Sequence, residues 1–171
     1  MNNNYLSNQL ISSSIHLNPN ELNSDINNLL VNKLREKYEQ KCINEGYIVK
    51  DSIELVNKSL GFIKSINNES KIVYNLKFSA DILFPIENDV IEGYIDNHNK
   101  MGVIAYIKLS DSYKNYKGAN NITDSPFIII IPNNDSIDKS EIKINEKKEI
   151  KIKAKSIKYN SKNIQVIGEF V

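Results

Sequence analysis

The chain predicts an α+β protein in two parts: a helix packed on an antiparallel sheet, then a five-stranded β-barrel of the OB type. Three observations carry this. A single helical periodicity sits between Asn18 and Gly46. The rest of the chain alternates with the period of two that marks half-buried strands. The stretch from Tyr74 to Ile107 joins one set of alternations to another with only Phe84 to Asn88 between them, which sets the expected domains at 1–84 and 85–171.

In order along the chain, Gln9 to Leu17 is the first expected strand. Asn18 is placed to cap a helix, with Pro19 in its first turn, where a missing N–H costs nothing, and Glu21 three residues on, as in a capping box. Leu22, Ile26, Leu29, Leu30, Leu34, Tyr38 and Cys42 recur at three- and four-residue spacing and predict one apolar stripe, with Gly46 ending the helix. Strands follow at Tyr47 to Val56, Gly61 to Ile66 and Ser70 to Ala80, separated by NKSLG and NNES, which gives a three-stranded meander under the helix.

The second half reads as all β. Asp89 to Asn97 and Met101 to Leu109 predict a hairpin, and a polar loop runs from Ser110 to Ser125. Pro126 to Ile131, Lys147 to Tyr159 and Asn163 to Phe170 complete five strands, with Ile150, Ile152 and Ala154 inward and lysines outward. Five strands with a long central loop suit a small Greek-key barrel, and a five-stranded sandwich would show the same periodicity. The run Phe127 to Ile131 is more apolar than one barrel face needs, so both of its faces should be covered.

Composition narrows function. The 171 residues are 40% hydrophobic and 25% charged, which is ordinary for a globular chain, and 22 basic against 21 acidic residues leave no global field to draw in nucleic acid. The single cysteine, Cys42, precludes an intramolecular disulfide and a thiolate zinc cluster. No apolar run approaches a membrane span, and MNNNYLSNQ lacks a signal-peptide layout, so no membrane association is expected. Arg35 is the only arginine in an Asn-, Ile- and Lys-rich chain, which reads as the coding bias of an AT-rich genome.

Catalytic residues are not apparent. His16 and His98 have no partner at metal-ligand spacing, the glycines form no phosphate loop, and Cys42 lies on the helical stripe as a small hydrophobe. Glu87, Asp89 and Glu92 match no cation-binding loop. No catalytic group, metal or cofactor is therefore expected. The clearest partner signal is basic: nine lysines against three glutamates between Lys139 and Lys162, with Lys147, Lys151, Lys153 and Lys155 on one outward face. Such lysines also protect edge strands from pairing. Tyr94 and Tyr106 in the hairpin, and Tyr113 and Tyr116 interleaved with Lys114 and Lys117, offer rings for stacking or for core filling.

The segments KLREKYEQKCINEGYIV, IELVNKSLGFI, KFSADILFPIENDVIEGYIDNHNKMGVIAYI, SPFIIIIP and EIKIKAKSIKYNSKNIQVIGEFV, taken in this order, resemble the stalk subunit of multisubunit DNA-directed RNA polymerases. This is the seventh-subunit family of the eukaryotic enzymes, and the composition looks most like a large-DNA-virus member. The resemblance implies a noncatalytic subunit with a tip domain before an OB domain. It implies docking on the largest polymerase subunits near the clamp through Leu55 to Phe62, with Leu55, Asn57, Leu60, Gly61 and Phe62 carrying the contact, Leu60 as the apolar tooth and Gly61 permitting a tight turn. It further implies a small helical stalk partner and contact with nascent RNA, for which Lys100, Tyr106, Lys108, Lys114, Lys117, Lys151, Lys153 and Lys155 are the candidates. For a viral member the expected address is the host cytoplasm (viral factory) and the virion; otherwise it is the nucleus. The chain departs from the family pattern after the third alternation, where Lys108-Leu109-Ser110-Asp111 replaces the usual Gly-Pro. A free-standing OB-fold RNA-binding or translation-associated factor is the rival reading.

Overall fold

The computed structural model describes residues 5–22, 25–99, 102–107, 122–132 and 149–171. Its N-terminal part is one helix on a six-stranded sheet built around a single long strand, β6 (Glu69–Leu83). On one side of it lies β1 (Leu6–Leu17), antiparallel and in unbroken register from Leu6↔Leu83 to Leu17↔Ile72. The other side is shared end to end by β3 (Gly46–Ile48), β4 (Glu54–Lys58) and β5 (Phe62–Ile66), with β2 (Cys42–Ile43) beyond β3. The expected meander is thus replaced by three short strands in series along one central partner. Tyr47 to Val56 is not one strand: it breaks at Asp51, whose φ of 57° lies in the left-handed region.

The helix, α1, spans Ile26–Tyr38, shorter than the interval from Asn18 to Gly46. Asn18 and Glu21 do form the expected reach-back, Asn18 N–H donating to Glu21 Oε2 at 2.8 Å, but around a single 3-10 turn (Pro19–Glu21). The α-helix has its own cap, Asp25, whose carboxylate accepts from Asn28 N–H at 3.2 Å. At the other end Lys41 Nζ donates to the carbonyls of Glu36 and Lys37, which satisfies acceptors the last turn leaves open. Cys42 consequently falls in β2, and Leu22 is exposed. Gly46 is a strand residue at φ 131°, where a Cβ would stand 2.5 Å from Leu83 O. The close approach of the chain to β6 at the start of β3 requires it. Leu30 and Leu34 bury against Ile11, Ile15, Leu76, Phe78 and Ile82.

The C-terminal part is a closed five-stranded barrel of β7 (Val90–Asn99), β8 (Gly102–Ile107), β9 (Phe127–Pro132), β10 (Glu149–Tyr159) and β11 (Ile164–Phe170). Around the wall the order is β7-β8-β9-β11-β10, and β10 pairs back to β7. One pair, β9 with β11, is parallel and the rest are antiparallel. This connectivity is that of an OB barrel and resolves the ambiguity with a sandwich. Phe127, Ile129 and Ile131 point into the barrel, while Ile128 and Ile130 on its outer face are half-buried.

The two parts share a core. Tyr5, Tyr47, Val49 and Leu83 from the first sheet pack in one cluster with Ile91, Phe127, Ile152 and Val166 from the barrel. A backbone bond also crosses, from Cys42 N–H to Ser161 O at 3.0 Å. Tyr159 completes the joint, stacking on Phe84 at 5.5 Å and donating its hydroxyl to Pro85 O at 2.7 Å.

Candidate docking ribbon and barrel wall

Residues 54–66 run antiparallel along β6 as one interrupted ribbon. Leu55 pairs with Phe78 and Asn57 with Lys77, so one extra residue, Val56, is accommodated between them. Lys58 pairs with Leu76 and Phe62 with Val73, so three residues of the ribbon face two of β6 and a second extra residue is forced out. Ser59 anchors this second bulge from below, its N–H donating to Asn75 O at 2.8 Å and its hydroxyl accepting from Asn75 N–H at 3.0 Å. Leu60 is the residue ejected. A bulge bends its strand and re-aims a side chain, and here it does so twice with apolar residues. Val56 is 59% exposed and Leu60 91%.

Gly61 has a reason other than turn geometry. Its φ is not in the left-handed region, but a Cβ there would stand 2.7 Å from the ring of Tyr74. The ring fills the space beside the bulge, so glycine is dictated by packing. Beyond it, Phe62 and Ile63 are 45% and 77% exposed, and the ribbon returns through Asn67-Asn68, both with positive φ as a type I′ hairpin requires. Of the five expected docking residues, Leu60 and Phe62 present apolar surface, Asn57 is exposed and Leu55 is half-buried against the sheet core. Val56 and Ile63, outside the expected set, add apolar surface to the same ribbon. Their signal in the sequence was two large apolar residues beside Asn57 and Lys64 that break a clean period of two.

The RNA candidates divide. Lys100, Lys108, Lys114 and Lys117 lie outside the described residues, as do Tyr113 and Tyr116. Lys151 and Lys155 stand on the outer wall of β10, where strand register sets carboxylates beside them: Lys151 Nζ meets Glu92 Oε1 at 2.9 Å and Lys155 Nζ meets Glu169 Oε1 at 2.8 Å. Lys153 lies between them, opposite Val90 and Glu169. The basic run seen in the sequence is therefore interleaved with acid from neighbouring strands. Such exposed pairs contribute at most about 1 kcal/mol each, so a phosphate can compete for the lysines. Tyr106 is 4% exposed with its ring 5.7 Å from that of Tyr94, and burial raises its phenol above the ordinary value. It braces the outer wall and offers no open ring face.

His16 and His98 are exposed on β1 and β7, far apart in the fold order. Among the described residues no three His, Cys, Asp or Glu side chains come together as a metal site, and no helix is long and apolar enough to cross a membrane. Cys42 is half-buried against the barrel core, and desolvation pushes its thiol up to about 11.

Residues 13–63 match the family model described as the SHS2 domain found in the N terminus of Rpb7p/Rpc25p/MJ0397. The match covers under a third of the chain, from within β1 through α1 to the start of β5, and includes both bulges. It supports a relationship to RNA polymerase stalk subunits of the Rpb7 type, and the barrel that follows is consistent with their OB domain. Comparison with curated proteins gives no match.

Proposed function

We propose that the chain is a noncatalytic stalk subunit of a DNA-dependent RNA polymerase, docking near the clamp through the bulged ribbon and guiding nascent RNA along its barrel. One observation carries this: an SHS2-type segment at residues 13–63 ends in a ribbon that ejects Leu60 into solvent and is followed in the same chain by a closed OB barrel. Val56, Leu60, Phe62 and Ile63 would enter an apolar pocket on the largest polymerase subunits. A tip domain of residues 1–84 and an OB domain of 85–171 would then be held at a fixed angle by the Tyr159 joint, which suits a stalk that spaces RNA from its anchor. A small helical partner on the two domains and RNA contact through Lys151, Lys153 and Lys155 belong to the same reading, as do Lys100, Lys108, Lys114 and Lys117. Composition alone supports a viral member, with the viral factory and virion as its address; a cellular member would be nuclear.

Replacing Leu60 with a photocrosslinking phenylalanine analogue tests the docking. Crosslinks to the largest polymerase subunits in transcribing extract are expected. Crosslinks confined to ribosomal or other RNA-bound proteins would instead favour the free-standing factor.

A further inference from the structure

Among the described residues the outer edge of β1 is open from Asn8 to Ser12. In the described part β1 pairs only with β6, over twelve residues with no bulge, no proline and no lysine. Natural sheets blunt such edges with those very devices, because an unpaired row of N–H and C=O groups templates another strand. The direction of the free groups follows from β6. Asn75 O accepts from Ser59 and Asp81 O from Val49, so the backbone at these positions turns away from β1. Their β1 partners, Ser14 and Asn8, are therefore non-hydrogen-bonded pairs, and alternation puts the N–H and C=O of Asn8, Leu10, Ser12 and Ser14 on the outer edge. Lys37 Nζ confirms the geometry, reaching Ser14 O at 3.2 Å. The groups of Asn8, Leu10 and Ser12 have no partner among the described residues, and the Leu10 side chain is 61% exposed.

Charge around this edge is basic beside Ser12 and Ser14, while Asp81 opposite Asn8 and Glu36 on the helix side are acidic. On the solvent face a shallow depression of about 450 Å³ runs from Ser12 and Ser14 across Asn75 to Asn57, Lys58 and Lys77, and no carboxylate lines it. Lys58 and Lys77 have no ion-pair partner among the described residues, and the small Ser12 lies between Lys77 and the edge. From the helix side come Lys37, Lys33 already paired with Glu21 at 2.8 Å, and Glu36. Asp81, lower on the sheet, is held by Asn8 Nδ2 at 2.8 Å. We infer that the β1 edge from Asn8 to Ser12 takes an extended acidic segment of another protein as an added strand, its outward carboxylates meeting Lys77 across Ser12. Backbone bonds supply the attachment and side-chain charge the selection, which is the general logic of strand addition. A second copy of this chain fits less well, since β1 carries no carboxylate and both edges would bring Lys37 and Lys77.

The test uses the full chain and a labelled ten-residue peptide of alternating valine and glutamate, read by fluorescence anisotropy. Leu10→Pro deletes one outward donor, a place where an edge strand tolerates proline, and should weaken binding about tenfold, as expected for a hydrogen bond of the stronger kind. Lys77→Glu should weaken it similarly, and binding should fall with added salt. The same peptide N-methylated on alternate amides should not bind, a readout that holds even if Leu10→Pro proves unstable. Equal binding of a valine–lysine peptide or of the N-methylated one would overturn the inference. So would sedimentation showing a dimer that Leu10→Pro dissociates.

Discussion

Leu60→Ala separates docking from folding more cleanly than any other change in the chain. The side chain is 91% exposed and ejected by a bulge whose anchors are Ser59 and Asn75, so truncation removes almost no buried surface. Stability should stay within about 0.5 kcal/mol of the parent, the usual range for surface substitutions. If Leu60 enters an apolar pocket on the polymerase, three buried carbon groups are lost at about 0.8 kcal/mol each, or about 2.4 kcal/mol, a weakening of about fiftyfold. Biolayer interferometry of the chain against core polymerase lacking its stalk, paired with a thermal melt, reads both quantities. Unchanged affinity with unchanged melting would refute the role assigned to Leu60, and a large drop in melting temperature would refute the account of the bulge. Deleting Asn57 to Gly61 is a poorer test, because Asn57 and Lys58 pair with β6 and Ser59 anchors the bulge.

Gly61→Ala should destabilise the sheet by about 1–3 kcal/mol, because its Cβ would meet the Tyr74 ring at 2.7 Å, and Tyr74→Leu in the same chain should recover part of the loss in urea unfolding. Burial, with smaller contributions from Cys42 and Asp89, pushes the Tyr159 phenol up to about 12. The unfolded phenol ionises near 10, so the unfolded state loses its proton first, and stability should be full below about pH 10 and fall between about 10 and 12. Tyr159→Phe should flatten that fall in melting curves taken across the window, at the cost of the bond to Pro85 O. Cys42, with its thiol near 11, should react with iodoacetamide at pH 8 orders of magnitude more slowly than in urea, since only about one thiol in a thousand is ionised. In RNA binding, Lys153→Ala should lower the magnitude of the slope of log K against log salt by about 0.7 if it meets one phosphate of a single strand.

The barrel was legible because each of its strands carries its own alternation: Ile91, Ile95, Val103, Ile129, Ile152 and Val166 all fall inward at a period of two. The first sheet was less so. Its strands β3, β4 and β5 are defined by sharing β6, a tertiary fact that the alternation in Tyr47 to Val56 conceals, and β6 itself runs three residues past Ala80 to Leu83. The apolar stripe gave the helix but overran it at both ends, because Leu22 and Cys42 keep the spacing without the backbone. Gly61 stood out in the sequence for the wrong reason, since Tyr74 lies thirteen positions away and only the sheet brings them together. The lysines of β10 were visible, whereas Glu92 and Glu169, which pair with them, come from two other strands. The open β1 edge had no signal beyond an absence of charge.

The most direct test is to purify the tagged chain from its native source and identify what accompanies it by mass spectrometry. Stoichiometric recovery of the two largest subunits of an RNA polymerase is the predicted result. Recovery of ribosomal or free RNA-bound proteins without those subunits would contradict it.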